Sequence, residues 1–188
     1  MDKTQMRQEL RKILHSLSTE QIRQKSRKAC ENLISTEHFR KADVLMMYLP
    51  LEKELDVSEA ILHAWQMGKT VTVPKVLWEH RHMIPVEIKS LDADFDTHQP
   101  SGLRNPVSAV PIPLEQIDLV ITPGLGFDRK GNRLGRGASF YDRFFAGEQL
   151  RADRCGLAFA EQMMNEIPVT EKDQPVDFIV TDKEIIYP

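Results

Sequence analysis

Apolar positions along the chain follow two rhythms. Met6, Leu10, Ile13, Leu14 and Leu17 return at three- and four-residue steps among Lys and Arg, which predicts an amphipathic helix from Asp2 to about Ser16, docked by one face. Ser18-Thr19-Glu20 carries cap chemistry for a second helix to about Ser35, with Ile22, Ala29, Leu33 and Ile34 as its apolar positions. The rhythm then changes. Val44-Leu45-Met46-Met47-Tyr48-Leu49 is apolar throughout and stops at Pro50, the pattern of a central strand covered on both faces. Asp56-Val57-Ser58 opens a helix to about Met67, Gly68 closes it, and Thr70 to Pro74 forms the next strand. A strand–helix–strand unit of this kind takes a right-handed crossover.

Met83 to Ile88 continues as strand, whereas Ser90 to Pro113, rich in Pro, Asp and Ser, has no period and predicts an irregular excursion. Gln116 to Thr122 is the clearest strand of the second half, ended by Pro123-Gly124. A long glycine-bearing loop leads to a predicted helix around Tyr141 to Leu150. Two further strands, Cys155 to Phe159 and Phe178 to Thr181, flank a helical or turn segment from Glu161 to Ile167. Strands alternating with helices predict a single α/β domain over residues 1–188, doubly wound, with a mostly parallel sheet flanked by helices.

Composition narrows the function. The hydrophobic fraction of 41% and charged fraction of 28% belong to an ordinary folded protein, and the net charge of −3 gives no global attraction to a polyanion, so no nucleic-acid partner is expected. Cys30 and Cys155 stand far apart in predicted helix and strand, which argues for reduced, buried thiols and against a disulfide framework or a zinc site. The charged opening MDKTQMRQELRKIL does not read as a signal peptide, and no apolar run reaches the roughly 18 residues of a membrane span. A cytoplasmic protein, monomeric and without a membrane partner, is expected.

Pro123 to Gly137, followed by Ala138-Ser139-Phe140-Tyr141-Asp142-Arg143, carries the most chemistry. Glycine lets backbone N–H groups approach an anion, and a helix N-terminus beyond the loop favours negative charge, so phosphate is a natural guest. Arg133 and Arg136 can add bidentate hydrogen bonds, and Asp142 can hold a magnesium ion on the same phosphates. The other reading is a hairpin at Lys130-Gly131-Asn132 whose glycines serve only the turn. The pattern is neither a Walker A loop nor a dinucleotide fingerprint.

Arg133-Leu134-Gly135-Arg136-Gly137 followed by Phe140-Tyr141-Asp142 resembles the RLGxGxGYYD signature of 5-formyltetrahydrofolate cyclo-ligases, and Pro-Gly-Leu-Gly-Phe-Asp before it is similar too. The resemblance extends over the basic first helix, Tyr48-Leu49-Pro50 to Glu54, and the final Val-Thr-Glu-Lys-Asp stretch. It implies ATP and Mg²⁺ as cofactors and ATP and 5-formyltetrahydrofolate as small-molecule partners. It implies that Lys3 and Arg7 reach ATP phosphates, which their helical spacing of four permits. Arg133, Leu134, Gly135, Arg136, Gly137, Ala138, Ser139, Phe140 and Tyr141 would line the nucleotide. Leu49, Glu54 and Arg136 to Phe140 would border the folate, with Glu54 and Arg136 as the catalytic pair, and Asp142 and Asp173 would be the magnesium-side carboxylates.

Each residue also has a plainer reading. Lys3 and Arg7 suit a solvated basic face, Glu54 can cap the next helix, and Asp173 before Gln174-Pro175 suits a turn. His80, Arg81 and His82 read as an exposed loop cluster, and Trp65 and Trp78 as packing residues, with stacking on a pterin open for Trp78. Arg104 or Lys75 can meet an acidic folate tail. Three positions depart from the family: Ser139 replaces the last motif glycine, Phe140 replaces the first tyrosine, and Ala138 stands where lysine or glycine is usual. A binding relative without turnover, or an α/β enzyme acting on another phosphorylated substrate, are the alternative functions.

Overall fold

The computed structural model describes residues 1–92, 95–107 and 110–188. Four positions of the predicted irregular excursion, 93, 94, 108 and 109, lie outside the described residues.

Both opening helices start on reciprocal caps. The Asp2 carboxylate accepts from the Thr4 and Gln5 amides while the Gln5 side chain accepts from the Asp2 amide, and α1 (Lys3–Ser16) follows with Met6, Leu10 and Leu14 buried. Ile13, on the predicted apolar face, is exposed instead. Ser18 and Gln21 repeat the arrangement for α2 (Thr19–Ser35), and Thr36 caps the short α3 (Glu37–Lys41), which inserts Phe39 fully into the core.

The chain then alternates: β1 (Val44–Met46), α4 (Ser58–Gln66), β2 (Thr70–Leu77), β3 (His82–Glu87), β4 (Phe95–Asp96) and β5 (Asn105–Pro106). It continues through β6 (Leu119–Thr122), β7 (Gly126–Asp128), β8 (Arg133–Leu134), α5 (Phe140–Phe145), β9 (Asp153–Ala158), β10 (Met163–Met164), β11 (Phe178–Thr181) and β12 (Ile185–Ile186). The main sheet has the order β12-β11-β9-β6-β1-β2-β3; β11, β9, β6, β1 and β2 are parallel, and the two outermost strands are antiparallel. The protein is thus a single α/β domain with a mostly parallel sheet between flanking layers.

Strand periodicity explains why this sheet needs cover on both faces. Leu45, Leu119, Ile121, Cys155, Leu157, Phe178 and Val180 point into the cluster built by α2, α3 and α4, which α1 extends toward Leu125 and Leu134. The alternating residues Met46 and Val120 face Phe144 and Phe145 of α5, and Ile179 faces Phe127 of the small sheet β10-β7-β8. Cys30 and Cys155 are buried free thiols, Cys30 being pushed up to about 12 chiefly by burial. No described helix is long and apolar enough to cross a membrane.

Several elements are shorter than their sequence patterns. β1 leaves the ladder after Met46, although the Met47 amide still reaches Thr72 O at 2.8 Å. α5 ends at Phe145, because Ala146 and Gly147 close it, so the predicted run to Leu150 is corrected to a helix of six residues. Ala160–Gln162 is one 3₁₀ turn that passes into β10.

Candidate functional site

From β1 the chain winds outward to β2 and β3; from β6 it winds the other way to β9, β11 and β12. The loops leaving the carboxyl ends of β1 and β6 therefore diverge, and a crevice opens between them, as at the switch point of other open α/β sheets. A cleft of about 240 Å³ occupies it. Every site residue that the family resemblance implies lines this cleft: Lys3, Arg7, Leu49, Glu54, Arg133 through Asp142, and Asp173.

The stretch after β6 divides into a hairpin and a turn. β7 and β8 pair antiparallel across Asp128 to Asn132, so the hairpin reading of Lys130-Gly131-Asn132 describes this part. Asp128, fully buried, organises it: Oδ1 accepts from the Lys130 and Asn132 amides, and Oδ2 from the Asn132 side chain and the Ile167 amide, all at 2.9 to 3.0 Å. Those four donors leave it no spare lone pair for a ligand.

Beyond β8 the backbone turns toward the cleft. Gly135 packs against the Arg133 guanidinium so closely that a Cβ there would lie 2.8 Å from Nη1. Gly137 has φ +115, which only glycine adopts readily. Ser139 sits at φ 53, ψ 29, inside the left-handed region, so the serine adopts the conformation that the family glycine would provide at no cost.

Carboxylates and cations meet pairwise around the cleft. Arg133, only 4% exposed, donates to Asp142 Oδ1 at 3.0 Å and lies over the Tyr141 ring, 5.4 Å from its centroid. Its buried Nε has no hydrogen-bond partner among the described residues. Burial raises the Tyr141 phenol well above its ordinary range, against the opposing pull of Arg133. Arg136 contacts Glu54 Oε1 through Nε and Nη2 at 2.9 and 2.8 Å, while the Leu51 amide holds Glu54 Oε2 at 2.9 Å. Lys3 Nζ lies 2.7 Å from Asp173 Oδ2, and Arg7 Nε donates to Gly135 O at 2.9 Å. For Asp173, partial burial works upward, but Lys3 and the Thr170 hydroxyl and amide outweigh it and hold the carboxyl below its usual range.

Asp142 and Asp173 come from remote segments, and the Gln174 amide, next to Asp173, contacts Asp142 Oδ1 at 3.4 Å. Two carboxylates on one cleft, joined through the Gln174 amide, fit the needs of magnesium, which takes one or two protein carboxylates and completes its octahedron with other oxygens.

The opposite wall is apolar and was not legible in the sequence. Pro74, Val76, Trp78, Met83 and Leu103 line it, brought together by the β2–β3 pairing and by Asn105, whose side chain bonds the Val76 amide and carbonyl. Trp78, read from the sequence chiefly as a packing residue, stands edge-on to Phe140 at 5.3 Å and donates to Gln99 Oε1 at 2.6 Å, with 40% exposure. Arg104 also lines the cleft, whereas the Lys75 amine bonds Val107 O. His80 and His82 sit exposed at the tip of the β2–β3 hairpin, and no cluster of three metal-ligating side chains occurs among the described residues.

Comparison with known proteins gives one consistent result. The model of the 5-formyltetrahydrofolate cyclo-ligase family matches residues 1–182. The chain is 28% identical to the mouse (Mus musculus) 5-formyltetrahydrofolate cyclo-ligase over 93% of its own length and 91% of the relative's. It is 29% identical to the Haemophilus influenzae 5-formyltetrahydrofolate cyclo-ligase, covering 92% and 93%. Among solved structures it is similar to Aquifex aeolicus 5,10-methenyltetrahydrofolate synthetase, with TM-score 0.84, 27% identity and coverage of 100% of this chain and 93% of the other.

Proposed function

The chain belongs to the 5-formyltetrahydrofolate cyclo-ligase family, and from that premise we propose that it converts 5-formyltetrahydrofolate to 5,10-methenyltetrahydrofolate with ATP, releasing ADP and phosphate. The observation that carries this reading is the convergence of Lys3, Arg7, Glu54, the 133–142 stretch and Asp173 on one cleft at the switch point of the sheet.

The chemistry needs a leaving group. ATP transfers its γ-phosphoryl group to the N5-formyl oxygen, giving an N5-iminophosphate; N10 then attacks the activated carbon, a C–N bond forms, and the oxygen departs with phosphate. Lys3, Arg7 and Arg133 are the cations that hold the phosphates, and the backbone from Leu134 to Tyr141 follows the nucleotide. Arg136 stabilises charge on the transferred group, and Glu54 orients Arg136 and faces the formylated end of the folate, beside Leu49. Asp142 and Asp173 would hold magnesium, which when bound supplies further charge neutralisation on the phosphates. The apolar wall around Trp78 and Phe140 offers a flat surface for the pterin ring, with Arg104 near an acidic folate tail.

Of the three departures from the family, Ser139 keeps the left-handed turn that its glycine counterpart would make, which supports turnover over a binding relative. A cytoplasmic monomer completes the proposal. The test is to mix protein, MgATP and 5-formyltetrahydrofolate and follow the methenyl product by its near-ultraviolet absorbance. ATP-dependent product is expected, falling by about 100-fold or more in Arg136→Ala. Both ligands bound with no product would overturn turnover in favour of a binding relative, and no binding would point to another phosphorylated substrate.

A further inference from the structure

We propose that the Lys3 ammonium occupies, in the unliganded protein, the place on Asp173 that a divalent cation takes once phosphate oxygens draw the ammonium away. The proposal rests on the nucleotide reading above and specifies how the two ligands of that site depend on each other.

Each carboxylate of the cleft already has a cation of this chain against it: Lys3 on Asp173, Arg133 on Asp142 and Arg136 on Glu54. A metal ion arriving alone at Asp142 and Asp173 meets carboxylates whose charge is cancelled and two cations, Arg133 and Lys3, that repel it. A polyphosphate arriving alone meets cations turned toward carboxylates. When both arrive, phosphate oxygens satisfy Lys3 and Arg133, and the neighbouring Asp142 and Asp173 are left with net charge for the metal. Binding of either ligand therefore strengthens the other through the same ion pairs.

Lys3 is the pair best placed to exchange. Its ammonium ends a flexible stem at the first residue of α1, and both side chains of the pair remain 23% exposed, so the swing needs no backbone movement. Asp173 Oδ2 also accepts from the Thr170 amide and hydroxyl, at 2.6 and 2.8 Å, which keep the carboxylate in place when Lys3 leaves. Asp173 Oδ1 accepts no hydrogen bond among the described residues, and the Gln174 amide beside Asp173 reaches Asp142. The Arg133 Nε, buried at the same cleft and without a partner among the described residues, independently marks an unmet demand for an acceptor atom.

The experiment uses Mn²⁺ as the probe, with no nucleotide or folate present, and reads free Mn²⁺ by its paramagnetic resonance signal. Lys3→Gln should bind Mn²⁺ about tenfold more tightly than the wild type, the effect of removing one unit charge some 6 Å from a dication in a water-like dielectric. Lys3→Arg, which keeps the charge, should show no gain, and Lys3→Gln combined with Asp173→Asn should lose it. A Lys3→Gln protein that binds no more tightly than the wild type overturns the proposal, as does an equal gain in Lys3→Arg. Because this measurement contains neither ATP nor folate, its failure leaves the proposed reaction standing, and failure of the reaction assay leaves the manganese result standing.

Discussion

Asp128 in the β7–β8 hairpin and the cleft carboxylates Glu54, Asp142 and Asp173 are all withdrawn from bulk water, yet different partners hold their charge. Asp128 is fixed by three backbone amides and one side-chain amide, all from the hairpin or the chain beside it. Glu54, Asp142 and Asp173 each take a backbone amide as well, but their charge is met by the end of a long basic side chain. A carboxylate satisfied by backbone dipoles belongs permanently to the fold. One satisfied by an arginine or lysine can be released when a stronger anion takes the cation, which is what a phosphate-handling cleft requires.

The largest way to break this comparison is to delete its structural member. Asp128→Ala strands several buried amides without an acceptor and should destabilise the protein by about 3–5 kcal/mol, read from the urea midpoint. Glu54→Gln and Asp173→Asn, whose cationic partners are partly exposed, should cost only about 1 kcal/mol each by the same measurement. These two variants should nevertheless lose about 100-fold or more of the ATP-dependent rate. Equal destabilisation at both kinds of site would erase the distinction.

Acid sharpens the contrast at Asp173. A carboxyl held below its unfolded value stabilises the protein above about pH 4 and loses that contribution as pH falls through the lower folded value. Lys3→Gln removes one of the partners that hold it down, so the fall in urea midpoint across that acid window should shrink. A pH profile unchanged by the substitution would mean that Thr170 alone sets the shift.

The smallest effect concerns the turn between the two regions. Ser139→Gly relieves a left-handed serine, and the gain, partly offset by the freer unfolded chain, should be about 1 kcal/mol or less. The melting temperature should rise by about 2–4 °C at most. A fall in melting temperature would show that the serine side chain contributes contacts that outweigh its backbone strain.

The elements most legible in the sequence were those whose signals are local. Apolar spacing of three and four announces α1, Ser18 announces α2 because capping is settled within four residues, and the apolar runs at 44–49 and 119–122 declare strands buried on both faces. α3 went unread because five residues carry too little periodicity, and β4, β5 and β10 because a two-residue strand exists only through its partner. The charged wall of the cleft was legible through short contiguous motifs, chiefly the 133–142 stretch with the first helix, 48–54 and the segment at Asp173. The apolar wall was not, since Pro74, Met83 and Leu103 look like any core residues until β2, β3 and the 100–104 segment are folded against α5.

The sequence by itself determined the alternation of strands and helices, the family and the residue types available for phosphate chemistry, because these depend on periodicity and on short contiguous motifs. Only the tertiary structure decided that Asp128 is consumed by the hairpin while Asp142, fourteen positions on, faces the cleft, and that Lys3 meets Asp173 across nearly the whole chain. Such pairings are set by where the strands diverge on either side of β1. That divergence is a property of sheet order, which no local stretch of sequence encodes.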